Sequence, residues 1–360
     1  MTRITFYITH HGFGHATREI EVINQLPQSV QVEIVTQVPR WLFERSINRP
    51  FDYVNLFHDP GVLQSDSLQQ DLTRTRQVWK ELLTHYPRQA EQESNRVLAN
   101  NTRLLVGDIS PFTVAVAQQA QLPSVIIANF SWDWIAQAFL ETIPEFQEMI
   151  DAVSTYYRKC DLLLRTPLAG DLSVFPNIVD IPIIARRARR SRTAVREELG
   201  ISNGTPLVLL SFGGHGFHVP YEVYVNKYPD FTFLTFSSDP SAAPNVITLN
   251  PQEAYHPDIL NASDLVLTKL GYGIVTECIS HGVPIAYPPR RNFPEFEVLE
   301  REVNRHVKTL RMEQDDFYQG NWDFLHDFFR EYSGQTPPCE PEIEIRGGEQ
   351  AAEHLLRMVR

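Results

Sequence analysis

Short apolar runs rich in β-branched residues alternate with longer helical patterns through the first half of the chain. In the helical stretch after the first run, Ile20, Ile23 and Leu26 recur at three-residue spacing, with Val22 beside them, and form one apolar face. Near-continuous apolar strands separated by helices are typical of a parallel sheet that is covered on both faces. The predicted strands are residues 3–9, 31–36, 103–107, 124–128 and 161–165.

The same alternation starts again after an irregular, arginine-rich segment. The predicted strands of this second half are residues 206–211, 231–236, 245–249, 264–268 and 283–287. We therefore predict two α/β domains, at 1–165 and 191–340, joined by a linker at 166–190. The last segment, 341–360, contains an amphipathic helix that could dock on either domain, including back on the first.

Composition narrows the class of protein. The 360 residues are 42% hydrophobic and 21% charged, which is enough apolar mass for packed cores. The net charge of −12 predicts that the chain repels nucleic acid, so an anionic ligand needs a locally positive site. Three distant cysteines favour a reducing compartment, so we expect a cytoplasmic protein. No signal-peptide core or membrane-length apolar run is visible, and peripheral membrane contact is not indicated.

Six arginines stand close together near the linker of this acidic chain. We interpret them as a solvated helix start, because runs of like charge usually face water. Contact with a phosphate or an anionic lipid is the alternative. The six are Arg186, Arg187, Arg189, Arg190, Arg192 and Arg196.

Two glycine-rich loops follow strands of the second half and indicate an anion site. In the first, Gly213 and Gly214 lack Cβ atoms and let backbone N–H groups approach an anion. In the second, Lys269 adds a positive charge, and the following helix adds its partly positive N-terminus. Glu277, about one turn into that helix, could accept hydrogen bonds from two sugar hydroxyls. Each loop alone is weak evidence, since ordinary strand-to-helix turns also use glycine.

The order of loops, strands and helix along residues 250–289 is a more specific signal than either glycine-rich loop alone. It resembles the donor-binding domain of the GT-B nucleotide-sugar glycosyltransferases, a family with two Rossmann-like parallel-sheet domains facing each other across a cleft. The resemblance is to the UDP-glycosyltransferases and to the enzyme that adds N-acetylglucosamine to the peptidoglycan lipid intermediate. It implies that Gly271 and Gly273 contact the diphosphate, with Lys269 nearby, and that Glu277 binds the ribose hydroxyls.

The match departs from the family at two places. Pro251 and Gln252 match the loop that contacts the base, but Leu249 precedes them and the tryptophan on which plant members stack uracil is absent. The Asp-Gln or Glu-Gln pair that commonly grips the donor sugar is also missing, and Asn292 and Glu295 are the nearest substitutes. The residues that we assign to the donor are Gly14, Ser211, Gly213, Gly214, Gln252, Lys269, Gly271, Tyr272, Gly273, Glu277, Asn292 and Glu295.

Three histidines follow the first strand, in the sequence HHGFGH. This loop resembles the first glycine-rich loop of the family, where a histidine deprotonates the acceptor hydroxyl, and His15 is the matching position. Asp108 matches the aspartate that orients this histidine, and a buried carboxylate can fix the imidazole tautomer in that way. Alternatively, His15 is an ordinary hydrogen-bonding residue near a helix start, and Asp108 is the N-cap of the next helix.

The sequence indicates the acceptor-binding residues less clearly than the donor-binding ones. We assign His11, Arg18 and Trp132 to acceptor contacts, while packing between domains is an equally good explanation of the tryptophan. His10 and His11 are better explained by cleft lining or local hydrogen bonds than by chemistry. A metal site is not expected, because His10, His11 and His15 lack a standard ligand spacing.

Residues 10–22, 107–117 and 129–135 are also similar to the glycosyltransferase-like region ahead of the kinase in plant arabinokinases, and to its stand-alone bacterial relatives. Together the resemblances imply inverting, metal-independent sugar transfer without a cofactor. The expected donor is a UDP-linked sugar, and the expected acceptor is a hydroxyl of a small molecule or lipid. A nucleotide-sugar epimerase and a non-catalytic nucleotide-sugar-binding protein are the alternatives.

Overall fold

The computed structural model describes residues 2–64, 69–202, 204–213, 221–290, 292–332 and 343–359. Within these ranges the chain forms two parallel sheets of seven and six strands, each with helices against it. The fold class expected from the alternating pattern is therefore confirmed.

The first sheet has the strand order β3-β2-β1-β4-β5-β6-β7. Its strands are β1 (Arg3–Ile8), β2 (Gln31–Thr36), β3 (Asp52–Asn55), β4 (Thr102–Asp108), β5 (Ser124–Ala128), β6 (Leu162–Arg165) and β7 (Ile178–Asp180). The order reverses between β1 and β4, where Ile8 pairs with Asp108. Ligands of open parallel sheets bind outside the carboxyl ends of strands at such a reversal.

The second sheet repeats this design, with the order β10-β9-β8-β11-β12-β13. Its strands are β8 (Leu207–Ser211), β9 (Thr232–Phe236), β10 (Val246–Leu249), β11 (Leu265–Thr268), β12 (Ile285–Tyr287) and β13 (Thr309–Arg311). Here the reversal lies between β8 and β11, and Ser211 pairs with Thr268 at their carboxyl ends. Each sheet therefore brings one reversal point to the same region of the molecule.

Helices connect the strands and cover both faces. Those of the first half are α1 (Phe13–Gln25), α2 (Arg40–Ser46), α3 (Leu72–Ala99), α4 (Pro111–Ala120), α5 (Trp132–Gln137) and α6 (Phe146–Tyr157). Those of the second half are α7 (Arg192–Glu198), α8 (Tyr221–Val225), α9 (His256–Ala262), α10 (Tyr272–His281), α11 (Pro294–Val303), α12 (Gln314–Gln319), α13 (Phe324–Tyr332) and α14 (Gly347–Met358).

The three strands that the pattern did not predict are β3, β7 and β13, each of three or four residues at or near a sheet edge. Their side chains are half-buried or exposed, so they show no continuous apolar run. β7 pairs with β6 and lies inside the segment for which we predicted a linker. Part of that segment therefore belongs to the first sheet.

The last helix, α14, packs on the first domain. Ala351, Ala352 and Leu355 are buried in the same cluster as Ile20 and Ile23 of α1. A Cβ on Gly348 would lie 3.1 Å from the Glu21 side chain, so the two helices approach closely. Of the described helices, none combines the length and the hydrophobicity needed to cross a membrane.

The arginine-rich segment corrects one interpretation. Arg187 and Arg190 are exposed, as a solvated run requires, but Arg186 and Arg196 are 5% and 1% exposed. The Arg196 guanidinium donates to the carbonyl oxygen of Ala262 at 3.1 Å. The solvated interpretation is wrong for these two residues because the structure supplies buried acceptors that charge density alone does not reveal.

Candidate active site

A cavity of about 250 Å³ lies where the loops after β1, β8 and β11 meet. It is formed by both domains, at the carboxyl ends of their sheets. Most residues predicted to bind donor or acceptor line it, namely His11, Gly14, His15, Arg18, Ser211, Gly213, Lys269, Gly271, Tyr272, Gly273, Glu277 and Glu295.

Three of the described residues that we predicted to bind donor or acceptor are not on this lining. Gln252 and Asn292 are exposed to solvent outside it. Trp132 is completely buried, and its indole N–H donates to Asp59 Oδ2 at 2.8 Å, so it packs within the first domain, and acceptor contact by Trp132 stays a prediction. Gly214 lies outside the described residues.

His15 is held by a buried carboxylate. Its Nδ1 atom lies 3.0 Å from Asp108 Oδ2, and Asp108 is fully buried at the end of β4. Burial alone would raise the pKa of Asp108, but His15 and Arg18 outweigh it and lower that pKa. An ionised carboxylate only accepts, so Nδ1 carries the ring proton and Nε2 of the neutral ring has a lone pair. Nε2 makes no hydrogen bond to any described residue.

The N-cap explanation of Asp108 is not supported. Helix α4 begins after Ser110, which is its N-cap residue and makes no capping bond through its side chain. Asp108 instead directs its carboxylate at the first loop of the sheet, because β1 and β4 are neighbours in register there.

Arg18 lines the cavity, and its guanidinium is also hydrogen-bonded to protein groups. It is 3% exposed, and its guanidinium donates to Asp108 Oδ1 and, at 2.9 Å, to Asn129 Oδ1. Asn129 in turn donates to Glu295 Oε1 of the second domain at 2.8 Å. Arg18 therefore supports the carboxylate behind His15 and joins it to the opposite domain. Acceptor contact by Arg18 stays a prediction.

Glu277 has a similar setting in the second domain. Arg186 Nε donates to its Oε1 at 2.7 Å, and His256 Nδ1 lies 3.0 Å from its Oε2. Burial would raise its pKa, but Arg186 and His256 together lower the pKa of Glu277 to about 2. His256 Nδ1 must then donate, and its Nε2, 3.0 Å from Ser211 Oγ, accepts from that hydroxyl. Glu277 still has lone pairs for further donors.

Two helices begin at the cavity without side-chain caps. Gly12 precedes α1 and Gly271 precedes α10, and neither end has a capping side chain. Their first N–H groups and the positive ends of their dipoles favour an anion. Gly213 adds a backbone with φ of 74°, which glycine adopts readily, and a Cβ there would meet nothing within 4 Å among the described residues.

Gly14 and Gly273 have a structural reason beyond ligand binding. A Cβ added to Gly273 would lie 2.7 Å from Gly14 Cα, closer than real atoms approach. The two glycines thus let a loop of each domain touch the other. Lys269 also crosses the interface, because its Nζ donates to Gln64 Oε1 at 3.3 Å.

The cavity is more basic than the chain as a whole. Among the described residues that line it, five are arginine or lysine and two are carboxylates, although the whole chain has a net charge of −12. The basic ones are Arg18, Arg45, Arg186, Lys269 and Arg290, and the acidic ones are Glu277 and Glu295. Such a lining attracts a polyanion. Among the described residues, no group of three or more potential metal ligands is assembled.

Sequence reasoning did not assign roles to Arg186, His256, Asn129 or Arg290. Arg186 was noticed only as part of a charge run, and His256 only as part of the base-contacting loop. A signal for Arg290 did exist, because it follows the strand after which the family places its sugar-binding pair. None of these residues reveals its partner from spacing in the chain.

One curated protein is related in sequence. The L-arabinokinase of Arabidopsis thaliana is 31% identical over 360 residues, which covers 98% of this chain and 34% of that protein. The chain thus spans about a third of its relative, and the name of the whole relative does not transfer. No family model matches the chain.

Solved structures match over the full length. A UDP-glucosyltransferase from Polygonum tinctorium capable of glucosylating indoxyl has a TM-score of 0.61 and 14% identity, over 99% of this chain and 98% of that one. The glycosyltransferase SnogD from Streptomyces nogalater has a TM-score of 0.60 and 16% identity over 100% of both chains. The chain has the GT-B fold. At these identities the likeness shows the fold alone, so chemistry has to be argued from the cavity.

The GT-B fold explains the position of the cavity. Each domain contributes its own strand-order reversal, so the loops after β1 and β11 face each other. His15 consequently lies on the same cavity as Lys269 and Gly273, and does not point to the outer surface.

Proposed function

We propose that this chain transfers a sugar from a nucleotide-diphosphate sugar to a hydroxyl acceptor, with inversion at the anomeric carbon. The observation that carries the proposal is the His15 imidazole, held through Nδ1 by buried Asp108 on a cavity that also contains the N-terminus of α10. A base with a free Nε2 and an anion site in one cavity are the two parts that such a reaction needs.

In the proposed reaction, His15 Nε2 accepts the proton of the acceptor hydroxyl. The acceptor oxygen forms a bond to the anomeric carbon while the bond from that carbon to the phosphate oxygen breaks. The nucleoside diphosphate leaves with the electron pair, and His15 retains the proton as an imidazolium. Asp108 stabilises this cation, as an aspartate does in catalytic triads.

The leaving diphosphate would be stabilised by groups that are already oriented. The N–H groups at the start of α10, the backbone at Gly213 and the charge of Lys269 supply this stabilisation without a metal ion. Glu277, ionised and fixed by Arg186 and His256, would accept hydrogen bonds from ribose hydroxyls. A UDP-linked donor stays our expectation. Two buried free cysteines, Cys160 and Cys278, accord with a reducing compartment such as the cytoplasm.

A non-catalytic nucleotide-sugar binder is the main competing function, and substitution of His15 separates the two. His15→Ala should lower transfer by at least roughly 10²–10⁴-fold, because the general base is lost. Binding of the nucleotide sugar, measured by calorimetry, should persist. His10→Ala is the matched control, since His10 belongs to the same loop but does not line the cavity. Full transfer by the His15 variant would show that another group is the base.

A nucleotide-sugar epimerase is the second competing function. Such an enzyme would convert the donor without any acceptor. Product analysis with donor alone, and with donor plus a panel of hydroxyl acceptors, distinguishes the two reactions. Formation of an epimeric donor would contradict the transfer proposal.

A further inference from the structure

Arg290 is a buried cation on the wall of the candidate active site. It lies between β12 and α11, is 6% exposed, and contributes to the lining of the cavity. Its guanidinium carbon lies 3.7 Å from the centre of the Phe293 ring, which supports one face of the group. The side chain is thus fixed by stacking, with its N–H edge left for another partner.

That edge has no protein partner in the described part of the chain. Nε and Nη2 are both buried, and neither atom donates a hydrogen bond to a described residue. The charge of Glu295 acts on the guanidinium and raises its pKa, but no ion pair joins Arg290 to a carboxylate in the described part of the chain. Burial lowers the pKa of Arg290 to about 10, so the group is still a cation at neutral pH. A buried, unpaired charge is unfavourable and is seldom retained without a function.

Two other buried arginines of the same cavity each have a carboxylate of the protein as a partner. Arg18 donates to Asp108, and Arg186 donates to Glu277 at 2.7 Å. Each is therefore neutralised by a carboxylate of the protein. Arg290 is buried to a similar degree and is hydrogen-bonded to no carboxylate among the described residues, which indicates that its anion comes with the ligand.

The position of Arg290 indicates which part of the ligand it meets. Phe293, on which it stacks, faces the His11 ring at 6.4 Å, and the His11 ring lies 6.1 Å from that of His15. Arg290 therefore lies on the side of the cavity near the proposed base. It also follows β12, after which the GT-B resemblance predicts a carboxylate-amide pair that binds the donor sugar. Here that pair is missing, and an arginine, which only donates, lines the cavity.

We propose that Arg290 binds the carboxylate of the donor sugar, so that the substrate is a nucleotide-diphosphate uronic acid. The proposal rests on the nucleotide-sugar transfer proposed above and adds the class of sugar. A guanidinium presents two parallel N–H groups that match the two oxygens of a carboxylate. A neutral hexose would leave Nε and Nη2 buried and unpaired, and would bind less tightly.

Binding measurements test this directly. Titration calorimetry compares UDP, UDP-glucose, UDP-glucuronic acid and UDP-galacturonic acid on the unaltered protein, on Arg290→Met and on Arg290→Lys. One of the two uronic acid donors should bind roughly 10- to 100-fold more tightly than UDP-glucose, from a charge-assisted hydrogen-bond pair. Arg290→Met should abolish that preference and leave UDP unchanged. Arg290→Lys should keep a reduced preference for the uronic acid donor, since lysine keeps the charge but lacks the two parallel N–H donors.

A matched control is Arg45→Met, which removes an exposed arginine from the lining of the same cavity and should leave the preference unchanged. Equal or tighter binding of UDP-glucose would overturn the uronic acid proposal and leave sugar transfer intact. Equal weakening of UDP itself by Arg290→Met would assign Arg290 to the diphosphate and also overturn it. Failure of UDP and all three sugars to bind would overturn the proposed function as well.

Stability of the ligand-free protein provides a second readout. Arg290→Met removes a charge that lacks a partner, so the midpoint of urea unfolding should not fall. Arg186→Met removes one member of a buried pair, and its midpoint should fall clearly. A comparable fall for Arg290→Met would show that Arg290 has a structural partner, and would overturn the inference.

Discussion

Each domain places a histidine, a buried carboxylate and an arginine in one cluster beside the cavity, and the two clusters differ in what meets the outer ring nitrogen of the histidine. In the first, His15 Nδ1 lies 3.0 Å from Asp108, which Arg18 also holds. In the second, His256 Nδ1 lies 3.0 Å from Glu277, which Arg186 also holds. The outer nitrogen of His256 accepts from Ser211, while that of His15 has no partner among the described residues. In the proposed reaction, the histidine without such a partner accepts the substrate proton, and the other histidine is held in place by Ser211.

The two clusters should differ most in the kinetic effect of removing the charge of their carboxylates. Asp108→Asn should lower the turnover of transfer by roughly 10³–10⁴-fold, because the ring tautomer of His15 is no longer fixed. Glu277→Gln should mainly raise the KM for the donor, because Glu277 contacts no reacting atom. Steady-state kinetics of both variants check this. Similar losses of turnover in the two would contradict the division of roles.

Breaking the arginine contact of the second cluster is expected to destabilise the second domain. Arg186→Met leaves the Glu277 carboxylate buried with His256 alone, and removing one partner of a buried pair destabilises by about 3–5 kcal/mol. Urea unfolding with a probe for each domain should show the loss in the second domain. Arg190→Met, at an exposed ion pair with Glu198, is the control and should change little.

The acid stability of the second domain should depend on Glu277. Its pKa in the folded chain is about 2, against an ordinary value of 4.5, so it stabilises the fold above about pH 4.5. That contribution is lost as the pH falls from 4.5 towards 2, and it is on the order of 3 kcal/mol. The midpoint of urea unfolding, measured between pH 3 and pH 7, should therefore change less with pH in Glu277→Gln than in the unaltered chain. An unchanged pH profile would mean that the carboxylate is not held as an ion.

The smallest effect is expected from Ser211→Ala. It removes the hydroxyl that occupies His256 Nε2, and the net loss for one neutral hydrogen bond is about 1 kcal/mol. Turnover should change less than about fivefold, because His256 has no role in proton transfer in the proposed reaction. A loss of turnover comparable to that of His15→Ala would show that the second cluster also takes part in chemistry.

Much of the fold could be predicted because it depends on local pattern. The inner strands β1, β2, β4 and β5 are continuous apolar runs, and the structure has strands at those positions. Edge strands such as β13 were missed, because partly exposed strands need no apolar run. His15 and Asp108 were found through resemblance, and their contact depends on β1 and β4 being neighbours in the sheet.

By itself, the sequence determined the alternation of strands and helices, the two domains, the acidic surface and the glycine-rich loops, since each of these depends on nearby residues. Only the tertiary structure decided which charges are neutralised. Arg18, Arg186 and Arg290 are alike in the sequence, yet two have buried carboxylates as partners and the third has none among the described residues. Partners of that kind come from segments 90 or more residues apart, because the carboxyl ends of parallel strands bring distant segments together.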